Sequence, residues 1–109
     1  LQNPKNLSFR EAYREAYNEE ADVYAVQGYD AGLLLIKALE ETSGDLSQKT
    51  QAIKAMEGAE IDSPRGVWTM SKSHNPIQNF YTLRVENGIN KVIGTAWEGL
   101  EDPGVGCGV

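Results

Sequence analysis

The residues of this chain that could do chemistry are few and scattered. His74 is the one histidine in 109 residues, and it has none of the neighbouring histidine or cysteine ligands that a metal centre needs. A loop histidine ahead of Asn75-Pro76 reads as solvated. Ser71 and Ser73 beside it imitate part of a hydrolase triad. Triads, however, are assembled from distant segments around a nucleophile elbow, and the sequence has no such motif. Glu19, Glu20 and Asp22 form an acidic cluster. A cation site would need several convergent oxygens, so a helix end followed by a cap is the simpler account. Arg65, just before Gly66, is expected to bond carbonyls of its own loop, with contact to an anion as the minor alternative. Cys107 is the only cysteine, so it can neither close an internal disulfide nor supply a multi-cysteine zinc site. Nothing here builds a constellation for bond chemistry, and the chain reads as a non-enzyme with no cofactor and no metal.

Composition narrows the class further. The chain is 40% hydrophobic and 24% charged, with a formal net charge of -6, which is ordinary for one globular domain. No basic run exists to release counterions from phosphates, so nucleic acid is not an expected partner. The opening, LQNPKNLSF, has neither a basic segment nor the apolar run of a secretion signal.

The element that must position everything else runs from Asp22 to Glu41, DVYAVQGYDAGLLLIKALEE. It is apolar on almost every side, leaving a thin polar seam of Gln27, Asp30, Lys37 and Glu41, and such a helix must be buried on more than one side. Asp30 and Lys37 would be costly in lipid, so a core helix of an α/β protein is expected rather than a membrane span. Gly28 and Gly32, one turn apart, would let another backbone approach.

Ahead of it, Ser8-Phe-Arg-Glu11 fits a capping box. Phe9, Ala12, Tyr13, Ala16 and Tyr17 then form one apolar stripe of a helix ending near Glu20. After the break at Thr42-Ser-Gly44, Asp45-Leu-Ser-Gln48 fits a second capping box, opening a third helix with Leu46, Ala52, Ile53 and Met56 on its narrow apolar side. Gly58 stands where a left-handed cap is expected. Val67–Met70 reads as a short strand, and Ser71–Gln78 as a polar crossover. Asn79–Trp97 is the clearest strand signal. It is folded about Asn87-Gly88 as a type I′ hairpin, with Glu86 opposite Ile89. In that register Leu83 meets Val92, Tyr81 meets Gly94 and Thr82 meets Ile93. Arg84 faces Lys91, an unfavourable pair unless Glu86 screens it. From Glu98 a glycine-rich tail is expected to be frayed or extended.

Three helices, one short strand and one hairpin do not supply enough sheet to cover both sides of the long helix. Either the chain is a piece of something larger or it assembles with copies of itself.

The wording of several stretches resembles a known family. YAVQGYDAGLLLIKALEET, DLSQKTQAIKAME and SPRGVWTMSKSHNPIQNFYTLRVENG are similar, in that order and spacing, to the C-terminal third of the type I periplasmic binding proteins. These are the branched-chain amino-acid (Leu/Ile/Val) receptors of ABC importers. The resemblance covers nearly all of residues 8–97. It implies a fragment of a two-lobed α/β fold joined by three crossovers, with ligand held between the lobes. Residues 1–76 would belong to the N-terminal lobe, 77–97 would be a hairpin of the C-terminal lobe, and 98–109 a flexible tail. The secretion signal and both parallel sheets would lie upstream.

The resemblance also supplies the candidate site. In this family the cleft-facing end of the long helix carries an aromatic side chain against the ligand, and Tyr24 occupies the matching position. A phenol offers an apolar face and a polar handle, and the helix start beside it offers N–H groups suited to an anion. Gln27, one turn on, could lean into the same cleft. Tyr29 and Asp30 are expected to be interior packing and a buried or rim hydrogen bond, and Trp68 and Trp97 core or rim aromatics. The implied activity is that of a periplasmic or surface-anchored solute-binding component working by hinge closure. Its partners would be a small-molecule ligand and the membrane permease. An aliphatic amino acid is the family ligand, but a tyrosine at that position suits aromatic acids or amides as well. The reading from another class is a self-associating module without a ligand, dimerising through the long helix or by exchanging the hairpin.

Overall fold

The computed structural model describes residues 1–106, which places Cys107 and its two successors outside the description. Helix α1 spans Pro4–Tyr17 with Asn3 as its N-cap, five residues earlier than the Ser8 capping box implies. The Asn3 side chain accepts from the Asn6 N–H at 2.7 Å, and Pro4 follows it at the first helical position, where a missing N–H costs nothing. Ser8 lies inside the helix and its hydroxyl donates to the Lys5 carbonyl at 3.2 Å. The helix stops at Asn18, whose φ of 55° and ψ of 31° are left-handed.

Helix α2 spans Val23–Glu41 with Asp22 as its N-cap, as the sequence indicates. It ends on Ser43 and Gly44, both at positive φ. There the Gly44 N–H reaches back to the Leu39 carbonyl at 2.8 Å, satisfying a carbonyl the helix would otherwise orphan. Helix α3 spans Lys49–Met56. Asp45 does not cap it as a box would. Its carboxylate instead takes the Ser47 N–H and hydroxyl, closing the turn before the helix.

Four strands follow in one antiparallel sheet ordered β1-β2-β3-β4: β1 Glu60–Ile61, β2 Trp68–Met70, β3 Pro76–Glu86 and β4 Ile89–Leu100. The two-residue β1 has no sequence signature of its own and exists because β2 pairs with it, Ile61 opposite Trp68. Strand β3 serves two neighbours. Its start pairs with β2 through Thr69–Ile77 and Met70–Pro76, and from Gln78 onward it pairs with β4.

The hairpin turns at Asn87-Gly88, both at positive φ. Glu86 faces Ile89, Leu83 faces Val92 and Arg84 faces Lys91. Glu86 does screen the two cations, lying 2.6 Å from Lys91 and 3.6 Å from Arg84. Beyond Leu83 the expected register fails. Thr82 faces Gly94 and Tyr81 faces Thr95, because Ile93 is an extra residue that the ladder skips. Three such shifts interrupt the pairing, all on β4, and bulges of this kind bend and twist the strand that carries them. Strand β4 also runs on to Leu100, into the stretch expected to form the tail. The segment after it is tied back, with Asn75 Nδ2 donating to Asp102 Oδ2 at 2.7 Å.

The core is small. Ala38, Ala52, Ile61 and Trp68 are the buried apolar residues among those described. They lie where α2 crosses α3 and meets β1 and β2. Outside that patch α2 keeps Leu35 and Ile36 about half exposed, at 47% and 49%. All of β4 is exposed. A radius of gyration of 16.1 Å, against about 13 Å for a compact chain of this length, reflects a projecting hairpin and an unwrapped helix.

Candidate functional site

The site is built from the start of α2 and from what holds that helix in place. Asp22 Oδ1 accepts from the Ala25 N–H at 2.8 Å, fixing the first turn. The preceding corner is pinned by α1: Arg10 Nη2 donates to Glu20 Oε2 at 2.8 Å, and Arg14 binds Glu20 Oε1. Hydrogen bonds from Arg10, then Arg14, hold the Glu20 carboxyl below its ordinary value of 4.5. The acidic cluster is therefore a helix cap and an ion pair. No group of three or more metal-ligating side chains occurs among the described residues.

With the corner fixed, Tyr24 projects from the first turn at 74% exposure, and Gln27 is exposed one turn on. Tyr29 turns the other way onto the Phe9 ring at 5.0 Å, which couples α2 to the aromatic stripe of α1. The Asp22 carboxylate already supplies the negative charge this helix end favours. That makes the helix start a poorer anion site than its N–H groups alone imply.

Halfway along the helix sits a buried polar cluster. Asp30 is 3% exposed, and its Oδ2 accepts from Arg65 Nε at 2.8 Å and from Trp68 Nε1 at 3.0 Å. Its Oδ1 is buried with no partner among the described residues. The Arg65 guanidinium lies 5.3 Å from the Trp68 ring centroid, within cation–π range. Its Nη1 donates to Gln78 Oε1. The expectation that Arg65 bonds loop carbonyls is thus corrected. Its partners are side chains 35 and 13 residues away, because a buried carboxylate requires a compensating charge and Arg65 supplies it. The loop is held rigidly for this: the Arg65 N–H donates to Ser63 Oγ at 3.2 Å, and Asn3 Nδ2 to the Pro64 carbonyl at 3.2 Å. Gly66 has φ +101°, and a Cβ there would stand 3.0 Å from the Tyr81 hydroxyl.

The remaining candidates have structural partners. Ser71 accepts from the Asn75 N–H at 3.2 Å and shares a 2.8 Å bond with Ser73, shaping the turn before β3. His74, at φ 62°, lies 2.9 Å from Glu57 Oε1, at the mouth of an apolar cleft of about 370 Å³ formed by Leu34, Ile53, Met56 and Met70. Trp68 is core, whereas Trp97 is 61% exposed opposite Phe80. Sequence reasoning missed Gln78 as a partner of Arg65, since no spacing rule links a strand amide to a loop guanidinium.

An amphipathic helical layer feeding a sheet whose last strands leave it as a projecting hairpin is a piece of the type I periplasmic-binding α/β fold. Residues 1–90 match the family described as periplasmic binding protein, and the chain belongs to that family. No curated protein sequence matches it. Among solved structures, it is similar to a solute-binding protein of an ABC transporter from R. palustris in complex with benzoate. Identity there is 37% over 100% of this chain and 30% of that one, with a TM-score of 0.92. A second solute-binding protein, from Rhodopseudomonas palustris BisB5 in complex with 3,4-dihydroxy benzoic acid, is 28% identical over 94% of this chain and 29% of that one, at a TM-score of 0.81. A leucine binding protein from Thermotoga maritima, 23% identical over 86% of this chain and 27% of that one at a TM-score of 0.67, shares the fold. The chain thus spans about 30% of the length of these neighbours. Among the described residues, no helix is long and apolar enough to cross a membrane.

Proposed function

We propose that this chain is the C-terminal part of a periplasmic solute-binding component of an ABC importer, and that its ligand is a small aromatic carboxylate. The observation that carries the ligand class is the 37% identity, over the whole chain, to a protein in complex with benzoate. The branched-chain amino acids expected from the family resemblance are the less favoured class. The leucine-binding neighbour is related at 23% identity, which speaks to fold alone.

In this reading residues 1–76 contribute to one lobe and the hairpin of residues 77–97 to the other. Ligand held between them stabilises the shut form that the membrane permease engages. Tyr24 lays its ring against the ligand ring, where an aromatic pair adds about 0.5–1.5 kcal/mol beyond area burial, and Gln27 offers an amide to a ring substituent. The ligand carboxylate is met elsewhere in the protein, because Asp22 already occupies this helix end. The role is binding and transport, not bond chemistry. The alternative of a self-associating module draws on the exposed apolar residues of α2 and β4; it requires a mass that rises with concentration in sedimentation, and a clean monomer removes it.

The test is a thermal-shift screen of the full-length protein against benzoate, 4-hydroxybenzoate and leucine. Benzoates are expected to raise the melting temperature and leucine to leave it unchanged; the reverse pattern refutes the ligand class. Tyr24→Ala should weaken benzoate binding roughly tenfold, about 1.4 kcal/mol. An unchanged affinity would remove Tyr24 from the site.

A further inference from the structure

We propose that Arg65 is a positioning residue that couples the Tyr24 helix to the hairpin. It holds α2 through Asp30 and holds β3 through Gln78, and the Arg65–Gln78 bond is a latch of the shut arrangement. The inference rests on the two-lobe reading above and adds to it a named contact that sets how readily the lobes part.

Gln78 stands where β3 changes neighbours. Pro76 and Ile77 pair with β2, Gln78 is the first residue paired to β4, and the first break in that ladder follows it at once. Any rotation of the hairpin relative to the helices must therefore be absorbed near Gln78. On the other side Arg65 is held fast. Its guanidinium is bound to a carboxylate that is 3% exposed and lies over a Trp68 ring that is 4% exposed. Its loop is tied to Ser63 and Asn3.

The latch thus has one fixed half and one that can leave. The fixed half is an ion pair, which is costly to break because it would strand a buried charge. The half that can leave is a neutral amide on a half-buried strand, able to exchange Arg65 for water. Asp30 lies six residues beyond Tyr24, about 9 Å along the helix axis at 1.5 Å per residue. The same rigid helix therefore carries the ligand-facing ring and the anchor. The latch is made in the arrangement that helices and hairpin share with a protein in complex with benzoate, at a TM-score of 0.92 over the entire chain, and in a two-lobed binder a held ligand favours the shut form.

The experiment uses the full-length protein with Gln78→Leu and Gln78→Glu, which leave the Asp30–Arg65–Trp68 anchor intact. Benzoate dissociation is followed by stopped flow, and the interlobe distance by paired spin labels without ligand. Coupling predicts dissociation about tenfold faster for Gln78→Leu and slower than wild type for Gln78→Glu, whose carboxylate strengthens the bond to Arg65. The ligand-free distances should shift toward open and shut respectively. Were Gln78 instead a contact to the ligand carboxylate, Gln78→Glu would speed dissociation by repulsion, and that result overturns the proposal. Identical distance distributions in all three proteins overturn it as well, whatever the ligand. Failure of the wild type to bind benzoate refutes the ligand class alone, since the distance measurement needs no ligand.

Discussion

Replacing Gly66 with alanine isolates the two demands that the Pro64-Arg65-Gly66 turn places on its glycine. The first is conformational: φ is +101°, and an L-residue forced to positive φ costs about 1–2 kcal/mol. The second is steric. The new methyl would stand 3.0 Å from the Tyr81 hydroxyl, and overpacking costs about 1–3 kcal/mol. The low end applies here, because the obstruction is the tip of one ring and not backbone. The sum, about 2–3 kcal/mol, is a large share of the roughly 5–15 kcal/mol that holds a domain folded. Urea unfolding of Gly66→Ala, Tyr81→Phe and the double variant separates the two parts. Tyr81→Phe removes only the hydroxyl, so in the double variant about 1 kcal/mol should return and the conformational cost should stay. Full recovery would refute the backbone argument. A Gly66→Ala protein within about 0.5 kcal/mol of the parent, the range of ordinary surface changes, would refute both.

Two further outcomes follow from the α1–α2 corner. Asp22→Ala removes the acceptor of the Ala25 N–H and should cost about 1 kcal/mol in urea unfolding, with faster amide exchange confined to the first turn of α2; unchanged exchange there would exclude the cap. Glu20 is held below 4.5 by Arg10 and Arg14, so its pairing contributes above the unfolded value and is lost as pH falls through the lower folded one. A carboxyl NMR titration should place its midpoint below 4.5 and move it back up in Arg10→Gln. A midpoint already at the ordinary value in the parent would remove the ion pair from solution.

Much of this fold was legible because its signals are local. Asp22 before an unbroken apolar helix, Gly44 after it, and Asn87-Gly88 between alternating runs each carry their meaning within a few residues. The start of α1 was legible too, in Asn3-Pro4, but the Ser8–Glu11 spacing competed with it and fits a helix interior as well as a cap. The bulges of β4 were not legible, since extra residues are fixed by how far a strand must bend and not by its alternation. Strand β1 depends wholly on β2. The site divides in the same way. Tyr24 and Gln27 stand exposed at the helix start, and whether they meet a ligand depends on protein outside this span. Asp30 could be read as buried, but its partners lie 35 and 38 residues away. A charge in the core demands a counterion without saying which.

The skipped residue at Ile93 makes the number of amino acids in the last strand as informative as their identity. Side chains alternate across a pleated ribbon, so Gly94 and Thr95, between this skip and the next, point opposite to where an uninterrupted ladder would aim them. Removing that single residue would leave composition nearly untouched and the turn intact. It would also let the ladder run straight from Val92 to Gly94, with Gly94 still opposite Thr82 and Trp97 still opposite Phe80, and so take away the local bend and extra twist that the skip puts into the strand. Natural variation here should therefore be tolerated as substitution and rejected as insertion or deletion.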